Sequence, residues 1–182
     1  MTDAPAGSGA NAKLELVTMQ VDSQLFGIAV RHVHDVLGPQ KITPVPLAPD
    51  AVAGSLNLRG RIVTVLDLRT TLGLSHAHRA DNAMNPSATN GPAMNQSAIR
   101  QGAMNVVIEL DGELYAVLVD DVGDVMTLSA AAVEPLPPTL DANWRALSHG
   151  IIRLDDRLLL LLAPERMLAA AAIECGPHEV AA

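Results

Sequence analysis

One cysteine, Cys175, occurs in 182 residues, which excludes an intrachain disulfide framework and any zinc site built on clustered thiolates. A reducing compartment is compatible with that usage. Aromatic residues reach only 2%, so the core must be packed from Val, Leu, Ile, Ala and Met. Stacking platforms for single-stranded nucleic acid are correspondingly scarce. Positive charge is short as well: 12 Lys and Arg against 20 Asp and Glu leave a net charge of -8 and a pI near 5.0. With no basic stripe to neutralise phosphates, nucleic acid is not an expected partner. The longest leucine run, Leu158 to Leu162, is far too short to span a bilayer as a helix. Met1 to Ala12 lacks a basic region followed by an apolar stretch. The expectation is a cytoplasmic protein without direct membrane insertion.

Motifs of catalysis are also missing. There is no glycine-flanked serine elbow, no phosphate loop and no dinucleotide fingerprint, and Cys175 follows an alanine run near the C-terminus. His32 with His34, and His76 with His78, have a spacing that could hold a metal, but no carboxylate or cysteine accompanies them at a ligating distance in sequence. Asp120, Asp121 and Asp124 could serve cation binding or acid and base work; a structural or interaction role fits them better, because Asp124 has a match in the other half of the chain. Catalytic residues, metal and cofactors are therefore all assigned as none.

What is present is a globular composition, 49% hydrophobic and 18% charged, in a chain able to form one domain or two small joined ones. Two stretches interrupt it. Residues 1–13 are rich in Ala, Gly and Ser and read as a flexible tail. Residues 75–103 repeat Ala-Met-Asn at positions 83, 93 and 103 and read as a flexible insert, since each copy holds one sizeable apolar side chain to set against the entropy of ordering.

The two remaining halves resemble each other. At a constant offset of 89, Val17 matches Val106, Phe26 matches Tyr115, Val33 matches Val122, Asp35 matches Asp124 and Val36 matches Val125. At an offset of 96, Gly54 matches Gly150, Leu58 matches Leu154, Arg61 matches Arg157 and Leu72 matches Leu168. Each half opens with a hairpin, around Asp22 to Gln24 and around Asp111-Gly112, the latter a strong signal for a primed turn. Prolines follow, and each half then ends in a strand, a turn, an apolar strand and a helical piece. Repeated short strands of this kind point to two small barrels.

The most informative stretch is Gly54 to Leu74. Asn57, Arg59 and Gly60 supply a turn, and Arg61 to Leu68 reads as a strand covered on both sides, with Ile62, Leu66 and Leu68 on one face and Val63 and Val65 on the other. Asp67 stands as a helix N-cap and Gly73 as the left-handed terminator. At the other end, Pro164 suits the first position of a final helix with Glu165 in its first turn.

Gly54, the run Asn57-Leu58-Arg59-Gly60 and the run Val65-Leu66-Asp67-Leu68-Arg69 resemble the signature of the chemotaxis coupling proteins, the CheW-like adaptors. The similarity extends from Leu14 to Leu168, through Phe26 to Val36, Ile42 to Pro46 and Tyr115 to Val125, with departures at Ser55, Thr64 and Ala163. It implies an all-β fold of two SH3-like five-stranded barrels with short helices and a C-terminal helix. The first barrel would be mainly 14–74 and the second mainly 104–162, with strands free to exchange, followed by helix and tail over 163–182. It further implies a non-enzymatic adaptor at receptor arrays on the inner face of the membrane. There the protein would couple the cytoplasmic helical tip of a transmembrane chemoreceptor to the regulatory domain of a histidine kinase. The implied receptor-binding residues are Val33, Asp35, Val36, Asn57, Arg59, Gly60 and Val106, and the kinase surface lies at unassigned positions on the second barrel. Arg59 alone would read as a solvated charge at a hairpin tip. Its counterpart in the second half is Asp155, so the first half carries a chemistry that the second lacks, and a guanidinium fork suits a partner's carboxylate or helix-end carbonyls. A pilus-motility or other chemosensory-like coupling protein shares these features, and a metal-dependent enzyme is the rival of another class.

Deleting residues 81–101 is expected to shift Tm by less than about 3 °C, the equivalent of under about 1 kcal/mol for a chain of this size. A melting curve with limited proteolysis checks it; a larger loss, or protection of the segment from cleavage, would show that it joins the core.

Overall fold

Alternation of apolar and polar residues builds two hairpins at equivalent places. The computed structural model describes residues 12–74 and 102–171. In it β1 (Lys13–Val21) and β2 (Gln24–Ala29) pair antiparallel about Asp22 and Ser23. Strands β6 (Met104–Leu110) and β7 (Glu113–Val119) pair about Asp111 and Gly112. Asp111 and Gly112 have φ of 52° and 83°, the left-handed pair that a primed turn requires. The first hairpin leads through a 3-10 turn at Val30–His32 to β3 (Val33–Leu37), β4 (Val52–Leu58), β5 (Arg61–Asp67) and the short helix α1 (Leu68–Thr71). The second leads to β8 (Asp121–Ser129), β9 (Val133–Glu134), α2 (Ala142–Leu147), β10 (Ser148–Arg153), β11 (Leu158–Leu162) and α3 (Pro164–Ala170).

The strands form two sheets, one of six in the order β8-β1-β2-β11-β10-β9 and one of five in the order β3-β6-β7-β5-β4. Each hairpin therefore sits in the sheet that the other half otherwise builds. The two orders correspond strand for strand, with β9 the extra member, and so do the registers. In the parallel junctions Phe26 faces Leu160 and Tyr115 faces Thr64. Register shifts recur between Val52 and Gly54 and between Ser148 and Gly150, which are the offset-96 pairs. Hydrogen bonding closes neither sheet into a ring, since β8 and β9 are the edges of one and β3 and β4 the edges of the other. The two mixed sheets are the two SH3-like units expected, joined by exchanged strands, so that each spans both 14–74 and 104–162.

The largest core cluster draws on both halves. Val106, Ile108, Tyr115, Val117 and Val119 face it, whereas Val107, Ala116 and Leu118 on the same strands face a second cluster on the other side of the five-stranded sheet. The chain's single Phe and Tyr belong to the central cluster and its single Trp packs against it, and the Phe26 and Trp144 rings meet edge-on with centroids 5.9 Å apart. Strand β5 is covered on both sides only beyond its start. Val63 and Val65 are 1% and 0% exposed but Ile62 is 73% exposed, because it lies beside the hairpin tip, past the end of the core.

The expected tail and insert fall almost wholly outside the described residues, but their inner ends are structured. Lys13 begins β1, the Ala12 carbonyl accepts a hydrogen bond from Ala130 N, Ala103 is buried, and Met104 and Asn105 of the third Ala-Met-Asn copy begin β6.

Two backbone positions have opposite consequences. Gly54 has φ 148°, and a Cβ there would overlap the Thr43 carbonyl oxygen and come within 2.8 Å of Ile42 Cγ2. Thr43 and Ser55 exchange both backbone hydrogen bonds at 2.8 Å, so the obstacle cannot withdraw cheaply. Leu47, by contrast, is fully exposed at φ 61°, a conformation costing a non-glycine residue about 1–2 kcal/mol. Gly54→Ala is expected to lose about 3 kcal/mol or more. Leu47→Gly is expected to gain about 0.5–1 kcal/mol, the strain released less the entropy glycine adds. Urea denaturation of the two variants checks both signs.

Candidate functional site

The turn joining β4 to β5 is built by local chemistry. Arg59 and Gly60 have φ of 51° and 89°, again the primed-turn pair, and the Asn57 side-chain oxygen accepts a hydrogen bond from Gly60 N at 2.7 Å. The Arg59 Nη2 then reaches Asp35 Oδ2 at 3.4 Å. Asp35 is itself oriented, because its Oδ1 accepts from Val36 N at 2.9 Å. The Arg59 side chain is 83% exposed and that of Asp35 29%, so the contact aims the guanidinium and leaves most of its donors facing outward. Such a pair is screened and contributes little to stability, about 0.2–1 kcal/mol at most. Beside it stand two exposed apolar side chains, Ile62 at 73% and Val36 at 38%. A partner would meet a fixed cation flanked by hydrophobic surface.

Of the sequence-predicted residues, Asp35, Val36, Asn57, Arg59 and Gly60 come together on the surface or half-buried. Val33 is partly buried against the central core. Val106 does not reach the surface: it is 0% exposed, paired across from Val36 on β6 and packed in the central cluster, so it can only support the site from beneath. Ile62 was not among the expected residues. Its exposure recurs in the other half, where Leu158, the counterpart of Ile62, is 39% exposed and Val125, the counterpart of Val36, is 60% exposed.

The second half's counterpart turn differs in kind. Asp155 and Asp156 are exposed and lack the positive φ values, and Asp156 pairs with its own neighbour Arg157 at 3.4 Å. Two carboxylates replace one aimed cation.

The remaining candidates are absorbed by structure. Asp67 is wholly buried and caps α1, accepting from Arg69 N at 3.0 Å and Thr70 Oγ1 at 3.1 Å, and Gly73 ends the turn at φ 70°. The helix α3 has no such cap at Ala163 and starts instead on Pro164. Asp120 is drawn out of the acidic patch by Arg69, whose Nη2 lies 2.6 Å from Asp120 Oδ2 and 3.4 Å from Asp22 Oδ1. The hydrogen bond to Asp120, opposed by burial, raises the Arg69 pKa above its ordinary value. His32 accepts from Arg31 Nε at 3.2 Å, while His34 Nδ1 lies 3.5 Å from Glu109. Among the described residues no three His, Cys, Asp or Glu side chains gather as a metal site would need; His76, His78 and Cys175 lie outside them.

Among the described residues, a duplicated scaffold of strands that aims a charge from one exposed turn and not from its duplicate has the make-up of a binding module. The chain belongs to the CheW-like domain family, whose model matches residues 15–172. It is 25% identical over 152 residues to the chemotaxis protein CheW of Rhizobium meliloti, a match covering 84% of this chain and 85% of that one. The chemotaxis protein CheW of Thermotoga maritima is 36% identical over a shorter stretch of 63 residues, 35% of this chain and 42% of that one. The crystal structure of the scaffolding protein TtCheW from Thermoanaerobacter tengcongensis superposes with a TM-score of 0.62 at 25% identity, covering 84% of this chain and 90% of that one.

Proposed function

We propose that this chain is a non-enzymatic chemotaxis adaptor, coupling the cytoplasmic helical tip of a transmembrane chemoreceptor to the regulatory domain of a histidine autokinase. The observation that carries this is the asymmetry between halves of a family member. One turn aims Arg59 outward from Asp35 beside Ile62 and Val36, and its duplicate does not. In this role Arg59 engages carboxylates or helix-end carbonyls of the receptor tip, while Val36 and Ile62 cover apolar side chains of the same helix. The kinase contact lies away from Arg59, at unassigned positions on the second barrel, and is largely apolar and modest in size, because a reversible array needs joints that open. The protein works in the cytoplasm, held at the inner face of the membrane through its partners; among the described residues no helix is long and apolar enough to cross a bilayer.

Arg59→Glu is expected to weaken receptor binding about tenfold or more, since it reverses the aimed charge. Kinase binding and the circular dichroism spectrum should be unchanged. Separate titrations with receptor and kinase check this. Undiminished receptor binding, or loss of both partners together from a folded protein, would replace two faces by another arrangement.

A further inference from the structure

The six-stranded sheet holds a cavity of about 260 Å³ floored by Leu14, Leu16, Gly27, Ala29 and Leu161, with Arg31, His149 and Glu165 at its mouth. The repeat shows how the corresponding residues of the other sheet differ. Gly27 and Ala29 correspond to Ala116 and Leu118, which are larger, 0% and 4% exposed, and packed in the second core cluster. Arg31 and Glu165 correspond to Asp120 and Arg69, the pair joined at 2.6 Å. In the six-stranded sheet the charges are transposed and stand apart. Arg31 donates to His32 at 3.2 Å, and no ion pair links it to Glu165. One end of the duplicated scaffold carries the larger side chains and an ionic latch, and the other carries smaller ones around a cavity.

The size and charge of the opening limit what can occupy it. Pockets for small ligands run to about 300–1,000 Å³, so this one suits a single anchoring side chain. Burial, followed by nearby Arg166, lowers the pKa of His149, and Arg31 is the arginine that lines the opening itself. A carboxylate beside the anchor would meet that cation, and Glu165 opposite offers an acceptor for a partner's backbone N–H.

We propose that this cavity is a second docking site, taking an acidic amphipathic segment of a protein partner that inserts one leucine-sized side chain and sets a carboxylate against Arg31. The site is independent of the receptor assignment at Arg59, which lies on the other sheet.

The test uses the full chain and two acetylated helical peptides. One carries Leu at i and i+4 flanked by Glu, and the other carries Lys in place of Glu. Methyl NMR should show the Glu peptide shifting the signals of Leu14, Ala29 and Leu161, with the Lys peptide binding about tenfold more weakly. Ala29→Leu, which copies the larger counterpart at Leu118, should keep or raise Tm and weaken the Glu peptide about tenfold or more. Arg31→Glu, a surface change that leaves the floor intact, should reverse the preference toward the Lys peptide. The proposal is overturned by equal binding of both peptides, by failure of either to bind, or by undiminished binding to a folded Ala29→Leu protein. Occupation of the cavity by octanoate while neither peptide binds would likewise overturn it, in favour of a small amphiphilic ligand.

Discussion

The parallel pairing of β2 with β11 and of β5 with β7 is the constraint on which the rest of the structure depends. Through it each half of the chain completes the sheet of the other, with Phe26 opposite Leu160 and Tyr115 opposite Thr64. A hairpin alone is marginal in water; here each gains a third neighbour only from the distant half. The central cluster, with all three aromatic residues in it or against it, is the consequence of that exchange and is not owned by either half. Folding therefore has to close long-range contacts before the core exists, which places the chain among slower topologies.

Exchange also explains how a functional asymmetry is tolerated. The shared core positions, such as Phe26 with Tyr115 and Gly54 with Gly150, hold both sheets in the same register, so the hairpin tips outside the core can differ without altering it. One tip aims a guanidinium across to β3, at the opposite edge of its own sheet, and the other presents Asp155 and Asp156. The same freedom operates at the cavity end, where Ala116 and Leu118 are buried in one sheet and the smaller Gly27 and Ala29 line a cavity in the other. Duplication supplied two equal frames, and the differences are confined to places where the frame does not need them.

Much of this was legible locally. The primed turn at Asp111-Gly112, the Asp67 cap, the Gly73 terminator and the Pro164 start are set by chemistry within a few residues, and the repeat offsets predicted matching registers. What was not legible depends on distance. Strand exchange leaves no local mark, because a hairpin has the same sequence whichever sheet receives it. Ile62 has the alternation of a buried strand, and only the position of the core shows that it lies beyond cover. The third Ala-Met-Asn copy has the composition of the first two but precedes Val106 to Leu110, so it is recruited into β6. At the site, family resemblance named Arg59 and Asp35, which lie 3.4 Å apart, but could not report that Val106 points into the core.

The most direct test of the account is native-state hydrogen exchange at the two parallel junctions. If the halves are inseparable, the slowest amides of β2–β11 and of β5–β7 exchange with one common opening free energy, equal to that of global unfolding, and fall together on a destabilising core change. Two distinct opening energies, with one sheet exchanging while the other stays protected, would contradict it.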